Sequence, residues 1–213
     1  MRKFLLLSFI VVLSLGCKEE NKVVISTEYG DMTVQLFDAT PKHKKNFLKL
    51  TKSGFYDGLL FHRVINGFMI QGGDAESRNA KQGVVLGGGD IGYTIDAEIG
   101  IPHFKGMLAA ARKADNVNPS KASSGSQFYI VQGRRMSKEI LDLMENQKGI
   151  KYSAAQRDKY IRLGGAPDLD QEYTVFGEVI EGLDVIDKIA AASTDPQDRP
   201  LKNIPMKIRV AKQ

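Results

Sequence analysis

Apolar and polar residues alternate along several short stretches of the chain, and glycine-rich turns separate these stretches. The pattern is clearest in residues 31–37, where Met32, Val34 and Leu36 alternate with polar neighbours. A period of two residues is typical of a strand with one buried face. Strands are predicted near residues 23–27, 31–37, 59–65, 68–71, 107–111, 127–131, 173–179 and 206–210. Short strands of this kind indicate a mainly β fold, built as a closed antiparallel barrel.

Two helices are predicted between the strands, where they would cap the ends of the barrel. The first begins at Pro41, a residue favoured at the first helical position, and Gly54 lies beyond its end. The second spans residues 182–191 and carries Leu183 and Ile186 on one apolar stripe.

Residues 133–166 do not follow the strand pattern, and they predict a helical insertion. The stretch from Ser137 to Gln147 carries apolar residues at helical spacing. Ser153 is a candidate N-cap for a second short helix that would stop before Gly165.

The N-terminus has the pattern of a signal peptide over residues 1–16. Arg2 and Lys3 precede twelve uncharged residues, Phe4–Leu15. As a helix, twelve residues rise only about 18 Å, which is less than the roughly 30 Å of a bilayer core. Such a segment is removed during export, so we leave it out of the fold.

Cys17, the single cysteine of the chain, stands where cleavage would make it the first mature residue, which resembles a bacterial lipoprotein signal. The aliphatic residue usual three positions earlier is replaced by Ser14, with Leu13 one step further back. We predict lipid attachment at Cys17, with residues 17–22 as lipidated cysteine and tether and residues 23–213 as the folded domain. The protein would then be anchored to a membrane of the cell envelope, the outer membrane being expected. The alternative is a secreted protein with an incidental cysteine. In either case a lone cysteine excludes an internal disulfide.

Composition and charge indicate an ordinary globular domain and not a nucleic-acid-binding protein. The 213 residues are 42% hydrophobic and 26% charged. Removal of residues 1–16 takes away two basic residues and no acidic one, so 28 basic residues face 25 acidic ones and the net charge falls from +5 to +3. No basic stripe is interleaved with aromatic residues, so no nucleic-acid partner is predicted.

Three motifs could indicate other chemistry, but the residues around each motif do not match what that chemistry requires. The glycines of residues 87–92 match G-x-G-x-x-G, but extended sequence and Pro102 follow where a dinucleotide site needs a helix. Ser126 lies in no G-x-S-x-G turn, so no hydrolase nucleophile is proposed. The histidines are far apart in sequence and have no cysteine or His-x-x-x-His partner, so we predict no metal site and no cofactor.

The stretch FHRVINGFMIQGGD, which starts at Phe61, concentrates the candidate chemistry. Strand alternation predicts that Phe61, Arg63 and Ile65 share one face, and that Met69 and Gln71 share a face of the next strand. A permanently charged guanidinium beside apolar side chains and an amide suits a neutral substrate rich in carbonyl groups. On this stretch alone, the alternative is a core strand with one arginine that extends to solvent.

Three later stretches complete a specific combination of motifs. They are GMLAAAR from Gly106, SSGSQFYI from Ser123 and YTVFGEV from Tyr173. Together with FHR and GFMIQGGD, they resemble the cyclophilins, the cyclosporin-binding class of peptidyl-prolyl cis-trans isomerases, from about Val23 to Val210. The resemblance implies an eight-stranded barrel capped by two helices. In shorter members a tight loop replaces residues 133–166, so we expect the insertion beside the active site, either as a spacer or as a lid that contacts substrate.

The resemblance also implies the site residues and their roles. Arg63 corresponds to the catalytic arginine. The residues implied for substrate binding are Phe68, Met69 and Tyr129 in the proline pocket, Leu169 and Tyr173 at its rim, Gln71 and Gln127 as amides for the substrate backbone, and Ala111 and Arg112 as the edge that pairs with an extended peptide.

Four features of the chain depart from the usual pattern of the family. Tyr129, Arg112 and Tyr173 stand where phenylalanine, asparagine and histidine are common, which puts the preferred residue before proline in doubt. The chain also contains no tryptophan. Cyclosporin-sensitive members carry a tryptophan at the pocket rim, and that position falls near Pro167 and Asp168 here.

Rotation about an Xaa–Pro bond breaks no covalent bond and needs no nucleophile, acid, base or metal. Its barrier of about 18–20 kcal/mol comes from amide resonance. A guanidinium can donate to the proline nitrogen when the twisted amide frees its lone pair, and so stabilise the twisted state more than either planar form.

The alternatives to an isomerase are a chaperone module that binds proline-containing chains without turnover, or a structural envelope lipoprotein. Arg63 favours the enzyme, because peptide binding by itself does not need this arginine.

Overall fold

The computed structural model describes residues 21–211, which contain ten strands and four α-helices. The predicted signal peptide and Cys17 lie outside the described residues. The strands are β1 (Lys22–Thr27), β2 (Gly30–Leu36), β3 (Phe61–Ile65), β4 (Met69–Gly72), β5 (Thr94–Ile95), β6 (Met107–Ala110), β7 (Ser123–Ser124), β8 (Phe128–Val131), β9 (Val175–Glu181) and β10 (Lys207–Val210). The helices are α1 (Pro41–Lys52), α2 (Lys138–Lys148), α3 (Ala154–Arg162) and α4 (Leu183–Ala190), with 3₁₀ turns at Ala75–Ser77 and Pro167–Leu169.

Eight of the strands form one curled antiparallel sheet in the order β10-β1-β2-β9-β6-β8-β4-β3, while β5 and β7 pair separately. Within residues 21–211 the edge strands β3 and β10 form no ladder with each other. Their flanking segments meet at the bridge between Leu60 and Pro205, beside a backbone hydrogen bond of 3.0 Å from Phe61 N–H to the Ile204 carbonyl. The prediction of a fully closed barrel is therefore wrong, and the sheet is a half-barrel. One physical reason is that Pro205 has no N–H to extend a ladder.

The concave face of the sheet encloses the larger hydrophobic core. Side chains of alternate strand residues, such as Val34, Leu108 and Ile130, are fully buried in it. Both predicted capping helices are confirmed, and each buries its apolar side in the same core, through Phe47 of α1 and Ile186 of α4. Burial of apolar surface is the main favourable term in folding, so these helices belong to the stable frame of the domain.

The insertion covers part of the opposite face of the sheet. Met107 of β6 and Val131 of β8 point outward and pack with Leu141 of α2 and Tyr160 of α3 in a second buried cluster. Both predicted inserted helices are confirmed. Ser153 caps α3 with a capping box. Its hydroxyl accepts from the backbone N–H of Gln156, and the side-chain oxygen of Gln156 accepts from the backbone N–H of Ser153.

A bulge in β3 corrects one predicted face. The pairing register with β4 shifts between Phe61 and Arg63. Phe61 lies in the inner core together with Val64, whereas Ile65 packs in the outer cluster. Two inward residues three positions apart break strict alternation, so the prediction that Phe61 shares a face with Arg63 and Ile65 is wrong. A bulge re-aims the side chains beside it, and this one leaves Arg63 half-exposed.

Two glycines with left-handed backbones offer a matched test of packing. Gly182 precedes α4 with φ of 82°, and Gly149 ends α2 with φ of 63°. A Cβ on Gly182 would lie 2.1 Å from the Asp31 carbonyl oxygen, whereas a Cβ on Gly149 would have no described atom within 4 Å.

We predict that Gly149→Ala costs about 1–2 kcal/mol of stability from backbone strain. Gly182→Ala should cost a further 1–3 kcal/mol or so, because β2 and α4 must move apart. Urea unfolding of both variants tests this, and equal losses would contradict it.

Candidate active site

Strands β3, β4 and β8 place three predicted site residues in one row across the sheet. Arg63 pairs with Gln71, and Gln71 pairs with Tyr129. Directly opposite residues on antiparallel strands have Cβ atoms about 4.5–5.5 Å apart, so these side chains are immediate neighbours. Met69 precedes Gln71 by two residues and therefore lies on the same face.

A cavity of about 150 Å³ opens over this row of side chains. Tyr129 and Met69, only 5% and 2% exposed, belong to its buried side, and Arg63 stands at its open side with 43% of its side chain exposed. Nine of the ten residues predicted for the site line the cavity, namely Arg63, Phe68, Met69, Gln71, Ala111, Arg112, Tyr129, Leu169 and Tyr173. Residues from five separate stretches of the chain are thus brought together around one small, partly apolar space.

The guanidinium of Arg63 is held loosely and keeps most of its donors. Its Nε lies 3.3 Å from Asp198 Oδ2, and its two Nη atoms make no hydrogen bond within residues 21–211. The neighbouring His62 is buried, and burial is the main cause that lowers the pKa of its imidazole to about 4. His62 is therefore neutral at physiological pH. It adds no second positive charge beside the Arg63 guanidinium.

Gln127, the tenth predicted residue, does not line this cavity, but it lines a neighbouring depression of about 440 Å³ together with Gln71. Its Nε2 donates to the carbonyls of Gly87 and Gly89 at 3.0 and 2.9 Å, and its Oε1 accepts from Gln71 Nε2 at 3.1 Å. Both amide hydrogens of Gln127 are thus used inside the protein. Its geometry suits holding the 87–89 loop and orienting Gln71, whose Oε1 makes no hydrogen bond within the described chain.

Ala111 and Arg112, the edge predicted to pair with a peptide, differ in the hydrogen bonds that their main-chain groups make. The N–H and C=O of Ala111 already bond to the Gln127 carbonyl at 3.0 Å and to the Ser124 N–H at 2.8 Å. The main-chain groups of Arg112 make no hydrogen bond in the part of the chain that the structure describes. An extended peptide could therefore pair with the backbone of Arg112, while the methyl group of Ala111 lines the cavity.

Arg112 and Tyr173, two of the residues that depart from the usual pattern, pack against each other. The Arg112 guanidinium lies 4.6 Å from the centroid of the Tyr173 ring, a cation–π distance. Glu172 accepts from Arg112 through its carbonyl at 2.8 Å and its carboxylate at 3.1 Å, and Asp115 forms another ion pair with it. With a side chain only 5% exposed, Arg112 is a fixed wall of the site and not a mobile charge.

Two larger depressions flank the cavity, with volumes of about 440 and 350 Å³. Gln71 and Arg112 line all three spaces, so they form one continuous groove. The larger depression is bordered by the 87–89 glycines and Val117, and the other by Val85 and Arg199. A groove that passes on both sides of a small apolar cavity can accommodate a peptide in extended form. Among residues 21–211 no group of three or more His, Cys, Asp or Glu could hold a metal ion.

Behind the cavity lies a polar network that the motifs did not reveal. The Tyr129 hydroxyl is 3.0 Å from His103 Nε2, and His103 Nδ1 is 2.9 Å from Asp170 Oδ1. Burial is the main cause that raises the pKa of Tyr129 well above its usual range, so its phenol stays protonated. From the sequence, His103 is a candidate only as a metal ligand. The tyrosine at position 129, where phenylalanine is usual, is the one sequence signal for a polar partner behind the pocket.

A family model described as "Cyclophilin type peptidyl-prolyl cis-trans isomerase/CLD" matches residues 22–210. The chain belongs to the cyclophilin-type peptidyl-prolyl cis-trans isomerases. A curated relative from Staphylococcus aureus strain USA300, named "Putative peptidyl-prolyl cis-trans isomerase", is 39% identical over 189 residues, which cover 87% of this chain and 88% of the relative. A protein of the same name from Staphylococcus epidermidis is 38% identical over 189 residues, with the same coverage of both chains.

Solved structures agree with the assignment to the cyclophilins. A Cryptosporidium parvum cyclophilin type peptidyl-prolyl cis-trans isomerase, crystallised in the presence of the dipeptide Ala-Pro, is 27% identical with a TM-score of 0.64. The match covers 90% of this chain and 99% of that structure. A second crystal structure of the same protein gives a TM-score of 0.65, also at 27% identity, and covers 91% of this chain and 98% of that one. This cyclophilin thus keeps the fold and its activity class, and carries an insertion on the outer face of its sheet.

The rim of the pocket predicts weak inhibition by cyclosporin. Pro167 is buried and Asp168 exposed in the short 3₁₀ turn that also carries Leu169 into the cavity lining. Neither proline nor ionised aspartate can donate the hydrogen bond that a tryptophan indole supplies. A lost bond of this kind costs about 1–3 kcal/mol, which is roughly a 10- to 100-fold loss of affinity.

The measurement is the cyclosporin inhibition constant of the wild type and of three variants. Asp168→Trp should restore part of the affinity, because this position is exposed beside the cavity, whereas Pro167→Trp must first displace a buried residue. Asp168→Phe is the matched control that adds a ring without an N–H, and it should restore less. Nanomolar inhibition of the wild-type protein would contradict the prediction.

Proposed function

We propose that this cyclophilin accelerates cis/trans isomerisation of Xaa–Pro bonds in folding proteins of the cell envelope, with Arg63 as its catalytic residue. The observation that carries the proposal is the cavity of about 150 Å³ that combines an apolar floor with one loosely held guanidinium. Uncatalysed exchange takes tens to hundreds of seconds and can limit folding, so a catalyst of this step has a use wherever proteins fold after export.

The apolar side of the cavity suits the pyrrolidine ring of a substrate proline. Phe68, Met69 and Tyr129 supply the walls, and Leu169 narrows the rim. If the ring is held there while the preceding residue rotates, the amide passes through its twisted state inside the groove. The dipeptide Ala-Pro present with the Cryptosporidium parvum relative supports a proline-containing peptide as the ligand of this chain as well.

Arg63 is suited to stabilise the twisted amide. Rotation removes amide resonance and returns a lone pair to the proline nitrogen, which then becomes a hydrogen-bond acceptor. The Nη donors of Arg63 are not engaged within residues 21–211, so they can reach such an acceptor without breaking an internal bond. A donor that gains a partner only in the transition state raises the rate and not merely the affinity.

The free donors of Arg63 also bear on the alternative of a binding module without turnover. Arg112 is enclosed by Glu172 and Tyr173 and serves as a wall, whereas Arg63 remains half-exposed with one long contact to Asp198. A pocket that only bound proline would gain little from a cation in this position. Tight peptide binding without acceleration of exchange would favour the chaperone module instead.

We also propose that Cys17 carries a lipid anchor and that the domain acts at a membrane of the cell envelope. The support is in the sequence, where a segment of twelve uncharged residues ends two positions before the only cysteine of the chain. Within residues 21–211 no helix has the length and apolar character needed to span a bilayer.

Loss of Arg63 should lower turnover with little effect on stability. Removal of one preorganised donor from a site of this type costs roughly 10²–10³ in rate, or about 2.7–4 kcal/mol. We therefore expect Arg63→Ala to lower kcat by about that factor in a protease-coupled assay with a proline tetrapeptide, while the melting temperature changes little. Arg162→Ala is a matched control, because this arginine is exposed on α3 and, within residues 21–211, forms an ion pair only with Asp158. Near-wild-type turnover of Arg63→Ala would show that Arg63 has been assigned the wrong role.

Lipid attachment at Cys17 predicts a change in fractionation. Each buried methylene of an acyl chain contributes about 0.8 kcal/mol, and more than one chain gives stable anchoring. Cys17→Ser should move the protein out of the detergent phase in Triton X-114 partitioning or leave its signal peptide uncleaved. Ser14→Leu, which introduces the usual aliphatic residue, should preserve both anchoring and processing. Unchanged partitioning and processing of Cys17→Ser would mean that the anchor proposal fails.

A further inference from the structure

Asp170 is a buried carboxylate that joins three separate segments of the chain. Oδ1 accepts from the backbone N–H of His103 at 2.7 Å and from His103 Nδ1 at 2.9 Å. Oδ2 accepts from the hydroxyls of Tyr152 and Tyr160, both at 2.6 Å. Asp170 is 2% exposed, and four donors fill its acceptor sites. An ionised carboxylate is tolerated in such a setting only if it is hydrogen-bonded in this way.

One branch of this network ends in the proline pocket. Because a carboxylate only accepts, Nδ1 of His103 carries the proton that is donated to Asp170, and Nε2 on the opposite side of the ring is left to hydrogen-bond with the Tyr129 hydroxyl. The ring planes of His103 and Tyr129 are nearly parallel, with an interplanar angle of 12° and centroids 6.1 Å apart. The Tyr129 ring is thereby fixed at its far end, on the side away from the cavity.

The other branch ends in the insertion. Tyr152 precedes α3 and Tyr160 lies within it, and the two rings pack at a centroid distance of 5.3 Å. Lys148, at the end of α2, donates to the Asp170 carbonyl at 2.9 Å. Asp170 directly follows the turn that carries Leu169 to the cavity rim. The inserted helices therefore hold the segment that forms the rim, and through His103 they reach the floor.

We propose that Asp170 is a positioning residue through which the helical insertion braces the proline pocket. The insertion is neither an inert spacer nor a lid: no residue of 133–166 lines the cavity or either flanking depression, and Tyr152 and Tyr160 are at most 6% exposed. In this cyclophilin, Tyr129 replaces phenylalanine because its hydroxyl connects the pocket to the brace. The inference rests on the proposed function of the pocket.

A brace of this kind predicts an effect on substrate binding rather than on the chemical step. Tyr129 contacts the proline ring and not the rotating amide, so it holds the planar and twisted states equally. An interaction made equally in both states affects KM and leaves kcat unchanged. Loss of Arg63 has the opposite signature, and the two roles can therefore be told apart by steady-state kinetics.

The test removes the hydroxyls from the insertion and retains the aromatic rings. Tyr152→Phe/Tyr160→Phe should raise KM, or the peptide dissociation constant, roughly 3- to 10-fold, since a lost hydrogen bond of ordinary strength changes an equilibrium by about this factor. kcat should stay within about twofold of wild type. Tyr129→Phe should give a similar rise, and the triple variant should show little more, because coupled residues are not additive.

A matched control and a second readout keep the test sharp. Tyr56→Phe removes an equally buried phenol hydroxyl from the inner core, where its contact is the Ser126 carbonyl at 3.4 Å, and it should leave KM unchanged. Nitrogen NMR of the His103 side chain should report a changed imidazole environment in Tyr129→Phe and in the double variant. If the double variant is unstable, Tyr160→Phe by itself should show a smaller rise in KM.

The possible outcomes separate the brace from the function on which it rests. If the wild type binds a proline peptide without accelerating its exchange, the proposed function fails, and the dissociation constants still test the brace. If the wild type is active, an unchanged KM in the folded double variant overturns the brace. Additive effects of Tyr129→Phe and the double variant would overturn it as well, as would equal losses in kcat and kcat/KM.

Discussion

Strands β4, β6 and β8 bury side chains on both of their faces, and this constraint shapes the rest of the molecule. An antiparallel sheet commonly packs one face on a core and leaves the other in water. Here the concave face closes over the main core, while Met69, Met107 and Val131 make the outer face apolar as well. The insertion covers part of that outer face. The proline cavity lies over the adjoining part, which the inserted helices leave open.

The second buried cluster, between the outer face of the sheet and the insertion, depends on polar contacts as much as on apolar packing. A carboxylate buried among aromatic rings would cost several kcal/mol without donors, so Asp170 requires the donors that reach it. Those donors come from the 103 loop and from the insertion, two on each carboxylate oxygen. Hydrogen-bond direction thus specifies a geometry that apolar contacts would leave variable. The floor and rim of the cavity take their positions from the same carboxylate.

Two arginines at the site show how surroundings decide the role of one residue type. Arg112 is enclosed by Glu172, Asp115 and the face of Tyr173, so its charge is compensated and its position fixed. Arg63 emerges beside a bulge and, within residues 21–211, has one long contact, to the half-exposed Asp198. A guanidinium in the first setting builds a wall, and one in the second can give its donors to a substrate. Of the two, Arg63 is therefore the arginine whose Nη donors are not engaged within residues 21–211.

The sequence by itself predicted eight of the ten strands and the four helices, and its resemblance to the cyclophilins implied the nine residues that line the cavity, because periodicity and motifs report local structure and familiar spacing. Cys17 and its lipid remain a prediction from sequence. Only the tertiary structure decided that the sheet stays a half-barrel, that Phe61 turns inward, and that Gln127 holds the glycine loop in the depression beside the cavity. It also decided that His103 and Asp170 support the pocket floor. A bulge, a register and a buried hydrogen-bond network depend on contacts between residues far apart in the chain, and alternation within one element carries no information about them.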